Sequence, residues 1–200
     1  MEYLPLEMIR EHLGGIPPAP LPAPFAIRPY RPGDAATWLR LHRAADRYSR
    51  LTPRTFEEQF GTDEGLLARR QLYLADGHGE AIGTATAWFD DDYHGQPWGR
   101  IHWVAIVPDF QGRGLATPLL AAACRRLAEL GHRRAYLDTA TVRTAAVNLY
   151  LKFGFRPVVR SEDDLRAWGA VRPHIRPAYW RRAADAVPQL ETAQEHQGRE

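Results

Sequence analysis

Residues 104–155 read VAIVPDFQGRGLATPLLAAACRRLAELGHRRAYLDTATVRTAAVNLYLKFGF. The order is an apolar strand, a glycine-bearing loop, a helix, a second strand and a short helix carrying one tyrosine. The loop is Gln111 to Ala116, and the helix it opens is expected to run to about Leu130, with Leu119, Leu120, Ala123, Leu127 and Leu130 on one face. Pro118 falls in the first turn, where its missing N–H costs nothing, and Gly131 stops the helix. Glycines let a ligand approach the backbone, and the free amides with the positive end of the helix dipole favour a phosphate or diphosphate.

Spacing separates the kinds of phosphate loop. A nucleotide-triphosphate loop needs Gly-Lys-Ser/Thr, which is absent, and Lys152 is the only lysine. A dinucleotide fingerprint needs a third glycine where Thr117 stands and a strand running directly into the turn, whereas Pro108 to Gln111 intervene; Gly112, Gly114 and Asp138 imitate only part of it. Gln111, Gly114 and Ala116 match the third kind, Gln/Arg-x-x-Gly-x-Gly/Ala, position by position. With Val107-Pro108 ahead of it and Leu149-Tyr150-Leu151-Lys152-Phe153-Gly154-Phe155 behind it, the segment resembles the GCN5-related N-acetyltransferase family over roughly residues 25 to 160.

The resemblance implies an α/β fold of one domain, with a central, mostly antiparallel, twisted sheet splayed between the family's fourth and fifth strands and flanked by helices. It implies acetyl-CoA as co-substrate and no metal. The loop amides of Gly112, Arg113, Gly114, Leu115 and Ala116 would hold the coenzyme diphosphate, flanked by Gln111 and Thr117. Val104, Ala105 and Ile106 would pair with the pantetheine arm beside a strand bulge, the Val104 amide facing the thioester carbonyl. Tyr150, four residues before Gly154, stands at the general-acid position, where a phenol protonates the leaving thiolate. His102, two residues before Val104 and so on the same strand face, resembles a histidine base of the aralkylamine acetyltransferases.

The residues themselves leave alternatives open. Tyr150 could instead anchor the last helix, and His102 could be a histidine satisfied by a backbone carbonyl. Where many relatives carry a base glutamate this chain has Arg100, and where they place an asparagine seven residues before the tyrosine it has Arg143; Asn148 is the nearby candidate for that coenzyme contact. Asp90, Asp91 and Asp92 read as a solvated loop with a lesser claim on substrate.

Two hundred residues with 44% apolar content and six Trp suit a single buried core. The expected strands are Phe25 to Arg31, Leu72 to Ala75, Ala81 to Phe89 and Gly99 to Val107, with a hairpin turn at Asp76 to Gly79. Helices are expected after Asp34, as N-cap, through Trp38 and Leu41, around Phe56 to Phe60, and over Glu162 to Trp168, with Arg156 to Arg160 completing the sheet. Three regions follow: an N-terminal arm with a proline-rich linker over residues 1–24, the acetyltransferase-like domain over 25–184, and a disordered tail over 185–200. The arm could pack on its own domain or on a second subunit, so a homodimer is possible.

The formal charge of +2 is spread over dispersed arginines, which argues against nucleic acid as partner. Cys124 is the single cysteine, so no intrachain disulfide forms, and the eight histidines lack metal-ligand spacing. With no signal peptide and no long apolar run, a cytoplasmic protein with no membrane partner is expected. The expected function is direct acetyl transfer from acetyl-CoA to an amine, a small-molecule amine somewhat ahead of a peptide amine, with Trp38, Trp88, Trp98 and Trp103 as candidate pocket walls. A non-catalytic acyl-CoA-binding module and, more remotely, a dinucleotide-binding protein are the alternatives.

Overall fold

Along residues 1–186, which the computed structural model describes, the chain orders β1 (Pro5–Arg10), β2 (Ala26–Pro29), α1 (Asp34–Ala45), α2 (Thr55–Phe60), α3 (Glu64–Arg70), β3 (Gln71–Ala75), β4 (Ala81–Tyr93), β5 (Gln96–Ile106), α4 (Ala116–Glu129), β6 (Ala135–Ala140), α5 (Thr144–Lys152), β7 (Arg156–Pro157), α6 (Glu162–Val171) and α7 (Pro177–Ala186). The fold is mixed α/β and mostly antiparallel, as expected: β2 with β3, β3 with β4, β4 with β5, and β1 with both β6 and β7 pair antiparallel. It divides into two compact units, Leu13–Arg133 and Met1–His12 with the chain from Arg134 on. The tail expected over residues 185–200 falls, from residue 187 on, outside the described residues.

In the Leu13–Arg133 unit the strands run β2-β3-β4-β5. Both faces of β3 are buried, so after the buried Gln71, whose Oε1 accepts from the Tyr73 hydroxyl, it reads as an apolar run, LYLA, rather than as an alternation. Trp38 of α1 is fully buried, its ring 5.6 Å from both Phe56 and Phe60 and 5.1 Å from Trp103, all edge to face. Such contacts add about 0.5–1.5 kcal/mol each beyond the buried area, and they fix α1 and α2 on the sheet. Asp34 is the first helical residue rather than the cap; its carboxylate accepts from Arg31 N at 2.7 Å and from both Arg28 terminal nitrogens. The turn at Asp76 forms as expected, its Oδ1 accepting from His78 N and Glu80 N. The acidic run is not a loop: Asp90 to Asp92 lie within β4, and the chain reverses at His94-Gly95, both at positive φ, with Tyr93 opposite Gln96. Positive φ at both central residues is the two-residue hairpin geometry whose twist matches the strands. The proline-rich stretch ends against its own unit, Pro24 lying over Gly77 and Phe25 edge-on to Phe110 at 6.1 Å.

In the other unit the strands run β6-β1-β7, so the first residues of the supposed arm are a central strand. Leu6, Met8 and Arg10 are buried at alternate positions while Pro5 is exposed, the period of two that a half-buried strand shows. β7 is limited to Arg156–Pro157, shorter than the expected Arg156 to Arg160. Proline supplies no ladder N–H, which suits this edge position. α6 begins on a capping box between Ser161 and Asp164 and runs beyond Trp168 to Val171.

Candidate active site

Strand β5 carries the distortion that shapes the site. Thr84 pairs with Ala105 and Thr86 with His102, so Trp103 and Val104 together face the single residue Ala85. This is a bulge, and Trp103 absorbs it at φ 50, a left-handed conformation that costs a bulky side chain about 1–3 kcal/mol. Val104 is half-buried directly after the distortion, and Ala105 and Ile106 follow as buried residues. The strand then turns: Phe110 N donates to Val107 O and Gln111 N to Pro108 O.

Gln111 ties the loop to the strand end, its Nε2 donating to Ile106 O at 2.7 Å. Gly112 and Gly114 then stand at φ 73 and 78, and a Cβ built on either would meet nothing within 4 Å. Their freedom is therefore spent on conformation and on leaving the space in front of the backbone empty. Among the described residues, the amides of Gly112, Arg113, Gly114, Leu115 and Ala116 donate to no backbone carbonyl, and α4 has no side-chain cap. Five adjacent donors, open space before them and the positive end of a 14-residue helix suit a diphosphate. Leu115 is buried and anchors the turn, while Arg113 lies over the Phe110 ring at 4.7 Å. Thr117 N is already bonded to Gly114 O at 3.2 Å, which leaves its hydroxyl as the group that could flank an anion. Gly131 ends α4 at φ 88, with His132 N bonded to Leu127 O and Gly131 N to Ala128 O.

His102 lies beside the bulge with its Nε2 2.9 Å from Gln59 Oε1, and Trp103 Nε1 donates to the same oxygen at 2.9 Å. Burial, Arg100 and His42 push the imidazole down to about 3, so it is neutral across the physiological range. Phe60 packs against the imidazole at 5.6 Å and Trp88 against Phe60 at 5.2 Å. Of the four tryptophans considered as pocket walls, Trp38 is core, Trp98 is buried against Tyr93, and Trp88 and Trp103 are the partly exposed pair. Gln59 carried no sequence signal: an uncharged polar residue on a six-residue helix gains meaning only from the strand it reaches.

Within its own unit, Tyr150 is buried on α5, and its ring meets Phe155 at 6.1 Å. The Lys-Phe-Gly-Phe run is a helix stop: Gly154 at φ 76 donates to Leu151 O, and Phe155 N reaches back to Tyr150 O. The motif that marks the tyrosine therefore also fixes the end of its helix. Asn148 has both amide hydrogens in use, to Thr144 O and His174 O at 2.9 Å, and its Oδ1 accepts from Arg176 N. It clasps the chain after α6 onto α5. Arg143 donates to the Tyr3 hydroxyl at 3.2 Å. Cys124 is buried in α4, and no group of three metal-ligating side chains occurs among the described residues. No helix among them is long and apolar enough to cross a membrane.

Comparison with known proteins shows the family and the fold. The family model described as the acetyltransferase (GNAT) family matches residues 35–155. Mycothiol acetyltransferase of Pseudarthrobacter chlorophenolicus is 30% identical over 151 residues, 70% of this chain and 45% of the relative. That of Nocardia farcinica is 33% identical over 154 residues, 71% of this chain and 48% of the relative. The chain thus spans about half the length of the curated relatives it matches. A solved GCN5-related N-acetyltransferase from Sphaerobacter thermophilus shares the fold with a TM-score of 0.61 at 23% identity, covering 78% of this chain and 50% of that one.

Proposed function

We propose that this chain, which belongs to the acetyltransferase (GNAT) family, transfers an acetyl group from acetyl-CoA to a primary amine by direct attack on the thioester. The observation that carries the proposal is the run of unpartnered amides from Gly112 to Ala116 in front of open space, a cradle built for a diphosphate. The bulge gives the chemistry its second part. A Val104 amide held beside the kinked backbone faces the thioester carbonyl, and one preorganised donor of this kind contributes about 3 kcal/mol to acyl transfer.

In the proposed reaction the amine nitrogen forms a bond to the thioester carbon, and the carbon–sulfur bond then breaks. The departing thiolate takes a proton, for which the family resemblance assigns Tyr150. His102 needs no high basicity for its part. Once nitrogen has attacked, its N–H is far more acidic than that of a free ammonium, and a neutral imidazole with a free lone pair accepts the proton. The acceptor is proposed to be a small amine lying along Trp88 and His102, with the buried Phe60 packed behind them. Mycothiol lacking its acetyl group belongs on the test panel because of the relatives' name.

Calorimetric titration with acetyl-CoA, CoA and NAD tests the cradle. Saturable binding of both coenzyme A forms without NAD binding is expected. Preference for NAD, or binding of none of the three, refutes the reading.

A further inference from the structure

We infer that Gln59 is a positioning residue of the transfer site: its one carboxamide oxygen sets the tautomer of His102 and holds Trp103 in the conformation that makes the strand bulge. The inference rests on the acetyltransferase reading above, but its geometry is independent of any ligand.

An indole Nε1–H can only donate, so the group of Gln59 that lies 2.9 Å from Trp103 Nε1 is the oxygen and not the NH2. That choice removes the usual ambiguity of a glutamine amide. The same oxygen lies 2.9 Å from His102 Nε2, and oxygen only accepts, so Nε2 carries the imidazole hydrogen. Nδ1 is left as the free lone pair of a neutral ring, the atom that takes the proton from the attacked amine. Arg100 on β5 and His42 on α1 are the groups acting electrostatically on this ring, and both disfavour a second proton on it.

The other arm of the interaction acts on the backbone. Trp103 is bulky and sits at positive φ, so the surroundings must hold it there. Its indole is fixed on one side by edge contacts to Trp38 at 5.1 Å and His42 at 5.1 Å, and at its nitrogen by Gln59. Residue 104, whose amide is proposed to meet the carbonyl, follows directly. One glutamine on α2 thus couples a helix to both chemical groups of β5.

Gln59→Glu and Gln59→Leu separate this from a packing role. In the wild-type protein, nitrogen-15 NMR of the imidazole, assigned with His102→Gln, should place the hydrogen on Nε2, and the Trp103 indole N–H should be protected from exchange. Gln59→Leu should expose that indole and lower kcat about tenfold to a hundredfold with the acetyl-CoA Kd unchanged. Gln59→Glu keeps an acceptor for both donors and adds a negative charge, so the indole should stay protected while the His102 titration moves up by at least about one pH unit. A hydrogen on Nδ1, an indole still protected in Gln59→Leu, or a His102 titration unmoved by Gln59→Glu would overturn the inference. Should Gln59→Leu fail to fold, the wild-type and Gln59→Glu spectra still decide. Should acetyl-CoA not bind at all, the enzyme reading fails while these spectra remain interpretable.

Discussion

Replacing Gly114 by leucine separates what the cradle does for binding from what it does for stability. The residue stands at φ 78 with nothing within 4 Å of a built Cβ, so the side chain meets no wall and the folding penalty is that of a left-handed L-residue, about 1–2 kcal/mol. For a chain of this size that lowers Tm by about 2–8 °C. Binding should suffer far more. The new side chain fills the space in front of the loop, and forfeiting two charge-assisted amide bonds to a diphosphate costs about 3–6 kcal/mol, a weakening of about a hundredfold to ten-thousandfold. Gly79→Leu is the matched control, because that residue stands at φ 85 in open space in the hairpin turn outside the loop. Thermal melts and calorimetric titration with CoA on both variants give the comparison. Similar melting losses with coenzyme binding lost only in Gly114→Leu are predicted. Unchanged affinity in Gly114→Leu, or equal loss in Gly79→Leu, would refute the cradle.

Tyr150→Phe should lower kcat by about a hundredfold or more while leaving coenzyme affinity nearly unchanged, since the helix stop and the ring contact to Phe155 survive; unaltered turnover would favour a binding module. Asn148→Ala should reduce stability by about 1–3 kcal/mol in denaturant titration through loss of its bonds to His174 O and Arg176 N, and a fall in coenzyme affinity instead would give Asn148 the ligand role. Because the folded-state pKa of His102 is depressed to about 3, the unfolded chain takes up that proton first, so its contribution is intact above pH 6.5 and is lost at up to about 1.4 kcal/mol per pH unit as pH falls toward 3. Melting curves of His102→Gln should show a shallower acid dependence than wild type. By the same neutrality, its loss of turnover should be equal at pH 6 and pH 8 rather than greatest in acid.

Local chemistry made much of the site legible. Gly112, Gly114, Pro118 and Gly131 each answer a backbone need within a few residues, and the Tyr150 to Phe155 run is a helix stop that closes on itself. What escaped depends on distant partners. Leu6 and Met8 alternate over too few residues to announce a strand, and their meaning comes from pairing with Thr139 and Leu137. The His94-Gly95 turn lacks the Asn-Gly or Asp-Gly signature, and three aspartates before it imitate a loop while their backbone continues the ladder. α3 was missed although Asp63 caps it by accepting from Leu66 N, because seven residues carry too little periodicity. Trp103 gives no local hint of a left-handed conformation, and the two hydrogen bonds accepted by Gln59 Oε1 join residues more than forty positions apart.

The central claim is tested most directly by acceptor-dependent release of free thiol from acetyl-CoA, followed with the purified chain across small amines, polyamines, lysine peptides and unacetylated mycothiol. The account predicts thiol release above the coenzyme-only rate with at least one amine class, abolished in Gly114→Leu and strongly reduced in Tyr150→Phe. Coenzyme binding with no acceptor-dependent release from any class would contradict it.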